Sequence, residues 1–418
     1  MLFQVVGLGG NFVTGIIVAR GLGSTGRGQY AAISIVPAVS LWVFSMGVSQ
    51  ASAYYFARRP QDGARIIGSW LALMIPLVGG GLLITELLLP QILAAQTAHV
   101  LLLARIAMIG LLVGFLYSLF SGVLGGDHDF FFLNVAQFLR VCGLALLFAA
   151  LLAAGWFTVT TAIFSTAGVD ACVTGACMAR VIRRHGIGGP DWRLARESLW
   201  YGFRAHGQSV GGFVTGRLDV FLIPSTLAAS SLGLYSVATN VSGIVGTLSG
   251  TLAALVLPTV AARERRRGVR IVVASMHATL LLGGLLGVLF VVLAAPAVKL
   301  VYGAQFHGSV LPLQLLVPGN VALSAAAVLA SGLAAVNRPG RSSLTQVPGA
   351  LLTIVGLALF LKPGGIVAAS IVSTVSYVVV FVTALLLYRN AAELRWSDLW
   401  PTRAELALVR RPRALFGR

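Results

Sequence analysis

Long apolar runs with almost no charge decide the solvent in which this chain can fold. A run of about 20 such residues forms a helix long enough to cross roughly 30 Å of hydrocarbon. In hydrocarbon the backbone must satisfy its own hydrogen bonds, and long apolar runs do so as helices. The runs are continuous and do not alternate between apolar and polar residues, which argues against an outer-membrane β-barrel. We therefore expect an all-α membrane protein.

Composition and charge agree with a membrane solvent. Only 10% of the residues are charged and 57% are hydrophobic, whereas a soluble domain carries about 25% charged residues. A net charge of +18 would suggest a nucleic-acid partner in a soluble protein. Here the basic residues cluster at the ends of apolar runs, where membrane proteins carry them. We expect membrane lipids as partners and no nucleic acid.

Charged and Gly/Pro-rich breaks divide the apolar sequence into twelve candidate spans. They are 2–19, 29–55, 66–89, 100–124, 130–153, 157–179, 205–224, 233–258, 270–295, 310–335, 344–361 and 365–388. If the chain starts inside, only Arg20, Arg27, Lys299 and Lys362 of the 30 basic residues lie outside, and three more lie within spans. This bias predicts an inner-membrane protein with both termini in the cytoplasm.

An internal repeat relates the two halves of the sequence. Residues 10–15 read G-N-F-V-T-G and residues 211–216 read G-G-F-V-T-G, while 28–32 align with 233–237 at an offset of 205. Six spans per half give both halves the same orientation, as in many secondary transporters. We expect two parallel six-helix halves at 1–190 and 191–390, joined by a basic linker at about 180–204, and a basic cytoplasmic tail at 391–418.

Several short stretches resemble polysaccharide exporters. They are R-G-L-G at 20–23, G-R-G-Q-Y at 26–30, Y-G at 201–202, R-L-D at 217–219, L-G-L-Y-S-V-A at 232–238, Y-G at 302–303 with Phe306, and N-R-P-G at 337–340. With them the chain is similar to the multidrug/oligosaccharidyl-lipid/polysaccharide (MOP) exporter superfamily, and within it most similar to O-antigen-type flippases. The resemblance marks Arg20 and Arg27 as residues of an outer-loop motif.

The resemblance implies a MATE-like or flippase-like fold and a specific cargo. That cargo is an oligosaccharide on a polyprenyl pyrophosphate, flipped from the cytoplasmic to the outer leaflet for surface polysaccharide assembly. Lipid II flippases of this superfamily have fourteen spans and arginines in the first span. Residues 2–19 contain no arginine, so a peptidoglycan precursor is a less suitable cargo.

Two other functions remain as alternatives. The first is a multidrug exporter of the same superfamily coupled to H⁺ or Na⁺, which would need acidic residues in its cavity. The second is a membrane enzyme such as an O-antigen polymerase or ligase, which would need a large outer loop with catalytic groups. The longest outer segment, at about 296–309, resembles no active site. We therefore expect a transporter, not an enzyme, and no cofactor.

Charges placed within spans mark the candidate site, because a charge at bilayer depth is costly unless it pairs or lines a wet cavity. Arg140 and Asp170 lie at matching depth on neighbouring antiparallel spans. They are expected either to neutralise each other or to line a cavity. Arg105 matches Glu86 near the outer ends of two spans, where pairing or snorkelling to the surface is favoured.

Arg217 and Asp219 lie two residues apart on one predicted helix, so they point to different faces. A guanidinium in a low-dielectric cavity suits a pyrophosphate, because its fork can bond two oxygens. We expect Arg217 to contact cargo, while Asp219 holds that arginine or exchanges a coupling ion. A long-range structural pair is the alternative.

The stretch Asp127-His128-Asp129 is the one weak suggestion of a metal site. Three adjacent residues do not converge on one ion, so we expect a solvated turn and no metal.

Overall fold

The computed structural model describes residues 2–207, 210–261, 265–335 and 339–399. Within these residues the chain is helical and contains no strand. The helices are α1 Leu2–Phe44, α2 Val48–Arg58, α3 Gly63–Ile92, α4 Ala98–Ala107, α5 Ile109–Gly126, α6 Phe130–Ala153, α7 Val159–His185, α8 Trp192–Gly207, α9 Val210–Thr226, α10 Ala229–Ala261, α11 Arg265–Val301, α12 Val310–Ala335, α13 Pro339–Leu344 and α14 Val347–Ala392. Short 3₁₀ turns lie at Pro60–Asp62, Ala304–Ser309 and Trp396–Leu399.

Helix α1 folds back on itself at Gly23. This residue has a φ of 70°, a conformation that glycine adopts readily. The Arg27 Nη1 donates to the Gly15 carbonyl oxygen at 3.3 Å, whereas a continuous helix would separate the two residues by about 18 Å. The predicted outer segment around Arg20 and Arg27 is thus a turn at Gly23 between two helical arms, and its place outside the membrane stays a prediction. One glycine is enough to turn the chain, and helix continues on both sides of it.

Helix α14 contains a second break of the same kind. Gly365 has a φ of 59°, and the two arms pack so closely that a Cβ on Gly356 would lie 2.7 Å from Val372 Cγ1. This hairpin carries the predicted spans 344–361 and 365–388, with Gly365 at the boundary between them.

The predicted architecture of about twelve membrane helices is confirmed. Seven helical stretches in the described part of the chain are long and apolar enough to cross a membrane, or eight if Gly9–Phe44 and Val48–Arg58 together form one bent span. That count is lower than twelve because α1 and α14 each hold two predicted segments, and because the stretches do not include α9 and α10. The segments 205–224 and 233–258 fall mainly on α9 and α10.

Contacts divide the chain into two compact units. The first comprises Met1–Gln208 and Val220–Ser236, and the second Ser209–Asp219 and Val237–Arg418. In the first, α1 packs against α4, α5, α6 and α7. In the second, α11, α12 and α14 bury an apolar core against one another. The predicted boundaries of the two halves stay a prediction, and residues 400–418 of the predicted tail lie outside the described residues.

The basic linker is largely helical. Helix α7 continues to His185, where Gly186 ends it with a φ of 71°. Helix α8 then begins at Trp192 and packs on α2 and α3 through Leu194, Ala195, Ser198 and Gly202.

The two copies of the repeat touch each other at equivalent residues within the first unit. A Cβ on Gly28 would collide with the Ala229 carbonyl oxygen, and a Cβ on Gly233 would collide with the Ser24 carbonyl oxygen. Gly28 corresponds to Gly233, and Ser24 to Ala229, at the same offset of 205. Reciprocal contact between equivalent residues is the property of a two-fold interface, so the fold supports the repeat.

Candidate functional site

A cavity of about 340 Å³ opens inside the first unit, and it is the candidate site. Helices α1, α5, α6 and α7 supply its walls. Its lining includes Pro37 on α1 and two glycines without side chains, Gly110 and Gly114, on α5. The two charged residues among its lining are Arg140 from α6 and Asp170 from α7.

Arg140 and Asp170 form a bidentate ion pair at the cavity wall. Arg140 Nε donates to Asp170 Oδ1 at 2.6 Å, and Nη2 donates to Oδ2 at 3.1 Å. Their side chains remain 40% and 29% exposed. The residues therefore pair and also line a cavity, while a role of that cavity in transport stays a prediction. The third guanidinium nitrogen, Nη1, has no hydrogen-bond acceptor among the described residues, so it can bond a ligand.

Hydroxyl and aromatic groups surround this pair. The Tyr117 ring centroid lies 5.9 Å from Arg140 Cζ, and the Tyr30 and Thr166 hydroxyls share a hydrogen bond of 3.0 Å. The Thr174 hydroxyl is buried and has no partner within the described part of the chain. A buried hydroxyl without a partner costs free energy, so a polar ligand or water in the cavity would stabilise it.

Arg105 does not reach this cavity. Its Nε bonds Glu86 Oε1 at 2.6 Å, and both side chains are about half exposed at 48% and 45%. The predicted pair between α3 and α4 is present. It gives Arg105 a structural partner, and a contact of Arg105 with cargo stays a prediction.

Asp219 lies on α9 in the second unit and is only 1% exposed. Ser373 Oγ on α14 donates to its Oδ2 at 3.0 Å. The Ser376 hydroxyl, one helical turn further on, is buried without a partner among the described residues. A buried carboxylate that accepts a hydrogen bond from a hydroxyl can take up a proton or a small cation.

Arg217 is exposed on α9, whereas Asp219 is buried. The two side chains therefore occupy different faces of the helix, as their spacing predicts. Of the outer-loop pair, Arg20 is exposed. Arg27 is only 6% exposed, and its Nε donates to Ser236 Oγ at 3.2 Å. Arg27 thus binds the first arm of α1 to the start of α10.

The turn at Asp127-His128-Asp129 is not simply solvated. Asp129 Oδ2 accepts from Arg180 Nη2 at 2.9 Å and from Arg184 Nη1 at 2.8 Å. Burial alone would raise the pKa of Asp129, but hydrogen bonds from Arg180 and the Phe132 N–H outweigh it and lower that pKa. Packing of α7 beside α6 brings its basic end to the turn, a contact that residues 127–129 alone could not predict. The described residues contain no cluster that could hold a metal ion.

The sequence matches the family described as polysaccharide biosynthesis protein over residues 17–311, which is well over half of the chain. The chain belongs to this family. A curated relative is the probable low-salt glycan biosynthesis flippase Agl15 of Haloferax volcanii, which is 23% identical over 196 residues. That match covers 46% of this chain and 41% of the relative.

Solved structures share the fold of this polysaccharide biosynthesis protein. An inward-facing multidrug resistance MATE family transporter of the MOP superfamily aligns with a TM-score of 0.75 at 14% identity, covering 92% of this chain and 94% of that one. The lipid II flippase MurJ in an inward closed conformation gives 0.76 at 12% identity, covering 100% and 93%. The predicted MATE-like or flippase-like fold is confirmed, and the family match agrees with the resemblance to polysaccharide exporters.

Several site residues of this family member carry no signal in its sequence. Tyr117, Thr174 and Ser373 are ordinary residues of apolar helices, and only the structure places them beside charges. Tyr30 could have been found, since it ends the G-R-G-Q-Y stretch that resembles polysaccharide exporters. The motif residues Asn337 and Arg338 lie outside the described residues.

Proposed function

We propose that this protein flips a saccharide linked to polyprenyl pyrophosphate from the cytoplasmic to the outer leaflet of the inner membrane. The protein spans the membrane several times and belongs to the polysaccharide biosynthesis protein family, which supports a lipid-linked saccharide as cargo. In this proposal the chain is a transporter without catalytic residues. Both termini lie in the cytoplasm.

The observation that carries the proposal is the Arg140–Asp170 pair in the cavity of the first unit. A guanidinium offers donors in a planar fork that matches the oxygens of a phosphate. Arg140 keeps Nη1 available while Asp170 holds Nε and Nη2 in place. A diphosphate can therefore bond Nη1 first and then compete with Asp170 for the other two nitrogens.

Release follows from the same arrangement. Asp170 lies on α7 beside Arg140, so its carboxylate can bond the guanidinium again when the diphosphate leaves. Such an exchange keeps Arg140 paired at every stage, which avoids the cost of an isolated charge at membrane depth. The pair would thus favour transient binding of an anion over permanent capture.

Coupling to an ion is assigned to Asp219. Its carboxylate is buried and accepts from Ser373, so protonation or a bound Na⁺ would change its charge in a nearly dry environment. Arg217, on the exposed face of the same helix, is the second proposed contact for the diphosphate. One helix would then carry both the coupling carboxylate and a cargo contact.

The test uses purified protein in proteoliposomes that contain a fluorescent saccharide on polyprenyl diphosphate. A membrane-impermeant reductant bleaches only the probe in the outer leaflet, so flipping increases the bleached fraction. We expect faster loss than in protein-free vesicles, and slower movement of the same saccharide on a monophosphate. Equal rates with and without protein would refute the flippase, and equal rates for both lipids would remove the role of the diphosphate.

A cation-coupled multidrug exporter is the second candidate. The buried carboxylate of Asp219 favours it, together with the structural similarity to a MATE family transporter. In the same vesicles, a proton or sodium gradient would then drive ethidium uptake that Asp219→Asn abolishes. Ethidium transport without saccharide flipping would select this candidate.

A further inference from the structure

Helix α8 presents a face of aromatic and basic residues to the surroundings of the protein. Its exposed residues are Trp192, Arg193, Arg196, Trp200, Phe203, Arg204 and Gly207. The three aromatic side chains are 66%, 55% and 52% exposed, in chain order. Aromatic residues this exposed would be costly in water, because each keeps a large apolar surface hydrated.

The exposed residues form one stripe. At about 100° per residue, all seven fall within an arc of about 120°, opposite the side that packs on α2 and α3. Trp192 and Phe203 lie at one edge of the arc and Arg193 and Arg204 at the other. Arg196 and Trp200 lie between these edges, so rings and guanidinium groups are mixed across the stripe. Such a stripe matches a membrane interface, where rings sit at headgroup level and arginines reach phosphates.

The charges of the stripe remain available to a ligand. Arg193 bonds Glu197 at 3.3 Å, but Arg196 has no carboxylate partner among the described residues. Arg204 Cζ lies 4.6 Å from the centroid of Trp200, whose ring stacks on Phe203. A guanidinium above a ring keeps its edge nitrogens open to an anion.

We propose that α8 lies in the membrane interface and binds the headgroups of anionic phospholipids. Arg196 and Arg204 contact the lipid phosphates, while Trp192, Trp200 and Phe203 enter the headgroup region. Because α8 packs on α2 and α3, a bound lipid would hold the helix connecting α7 to α9 at a fixed depth. This surface lies apart from the charged cavity and does not depend on the cargo.

The first experiment measures lipid binding to the purified full-length protein by native mass spectrometry. Phosphatidylglycerol and phosphatidylcholine with identical acyl chains are titrated separately. We expect a preference for phosphatidylglycerol that Arg196→Gln with Arg204→Gln lowers about tenfold, since juxtamembrane arginines attract anionic lipids. The matched control is Arg65→Gln with Arg183→Gln, two exposed arginines outside α8, which should keep the preference. Equal binding of both lipids, or equal loss in the control, would overturn the proposal.

The second experiment tests the tryptophans of the stripe without changing its charge. Phosphatidylglycerol brominated near its headgroup quenches tryptophan fluorescence on contact, so protein in nanodiscs of this lipid reports which rings touch it. Trp192→Phe with Trp200→Phe should lower the quenched fraction at least twofold, whereas replacing the fully buried Trp70 by Phe should not. An unchanged quenched fraction in the α8 variant would show that water or a protein partner, and not lipid, covers this face.

Discussion

Arg140 and Asp170 carry opposite charges inside a bundle that spans the membrane, and each lowers the free-energy cost of placing the other there. Removing one partner of a buried pair costs about 3–5 kcal/mol, whereas replacing both by apolar residues is often neutral. Partial exposure to the cavity lowers that cost here, because water and ligand can reach the pair. Stability and transport can therefore be separated by comparing single with double substitutions.

Arg140→Ala alone should lower membrane abundance several-fold, since it leaves Asp170 without its bidentate partner. Arg140→Met combined with Asp170→Leu should restore abundance but not surface polysaccharide. The measurement is complementation of a strain lacking the gene, with abundance determined in the same membranes. Arg105→Ala is the control, because its pair with Glu86 is about half exposed and should contribute little. A normal amount of surface polysaccharide from the double variant would show that the two residues only neutralise each other.

Arg217 offers a test of the diphosphate that involves little packing, because its side chain is exposed. Lysine keeps the charge but loses the fork, so Arg217→Lys should retain partial flipping. Arg217→Ala should abolish flipping at normal abundance. Surface polysaccharide and membrane protein are measured together. Normal polysaccharide from the alanine variant would mean that the cargo binds mainly through its sugars.

At the scale of helices, the crossing of α1 and α10 brings two backbones into direct contact. Gly28 and Gly233 allow the two backbones to touch, and each faces a carbonyl oxygen that cannot rotate away as a side chain could. Ser236 accepts from the buried Arg27 at the same crossing. Close packing and a charge-assisted hydrogen bond thus hold equivalent parts of the two repeats together.

Gly28→Ala or Gly233→Ala should destabilise the protein by about 1–3 kcal/mol, because the new methyl group forces the backbones apart. The thermal unfolding midpoint of detergent-purified protein, followed by fluorescence-detected size exclusion, reports the loss. Gly243→Ala on α10 is the matched control, since nothing lies within 4 Å of its Cβ position. If the unfolding midpoint of Gly243→Ala falls as far as that of Gly28→Ala or Gly233→Ala, the loss would be a general effect of alanine and not of the crossing.

At the scale of the whole molecule, orientation in the membrane follows from the distribution of arginines. Reporter fusions after Arg65, Arg184 and Arg267 should report the cytoplasm, and a fusion after Lys362 should report the outside. Paired alkaline phosphatase and green fluorescent protein fusions give opposite signals on the two sides. An outward signal at Arg184 would be incompatible with six spans in the first half.

The sequence alone determined the solvent, the helical class and the approximate number of spans. In hydrocarbon the backbone must satisfy its own hydrogen bonds, which few structures allow. The length of the apolar runs and the breaks between them are therefore enough to predict helical spans. The sequence also identified Arg140 with Asp170 and Glu86 with Arg105, because opposite charges at equal depth on adjacent antiparallel helices can meet and neutralise each other. Charged residues at membrane depth are so rare that their positions alone are enough to predict these pairs.

Only the tertiary structure decided the burial of Arg27 and the hydrogen bond from Ser373 to Asp219. Each depends on residues far apart in sequence that meet because whole helices pack. An arginine counted at the surface can instead bond a carbonyl and a hydroxyl within the bundle. Hydropathy fixes the depth of a residue, but the neighbouring helix fixes its partner.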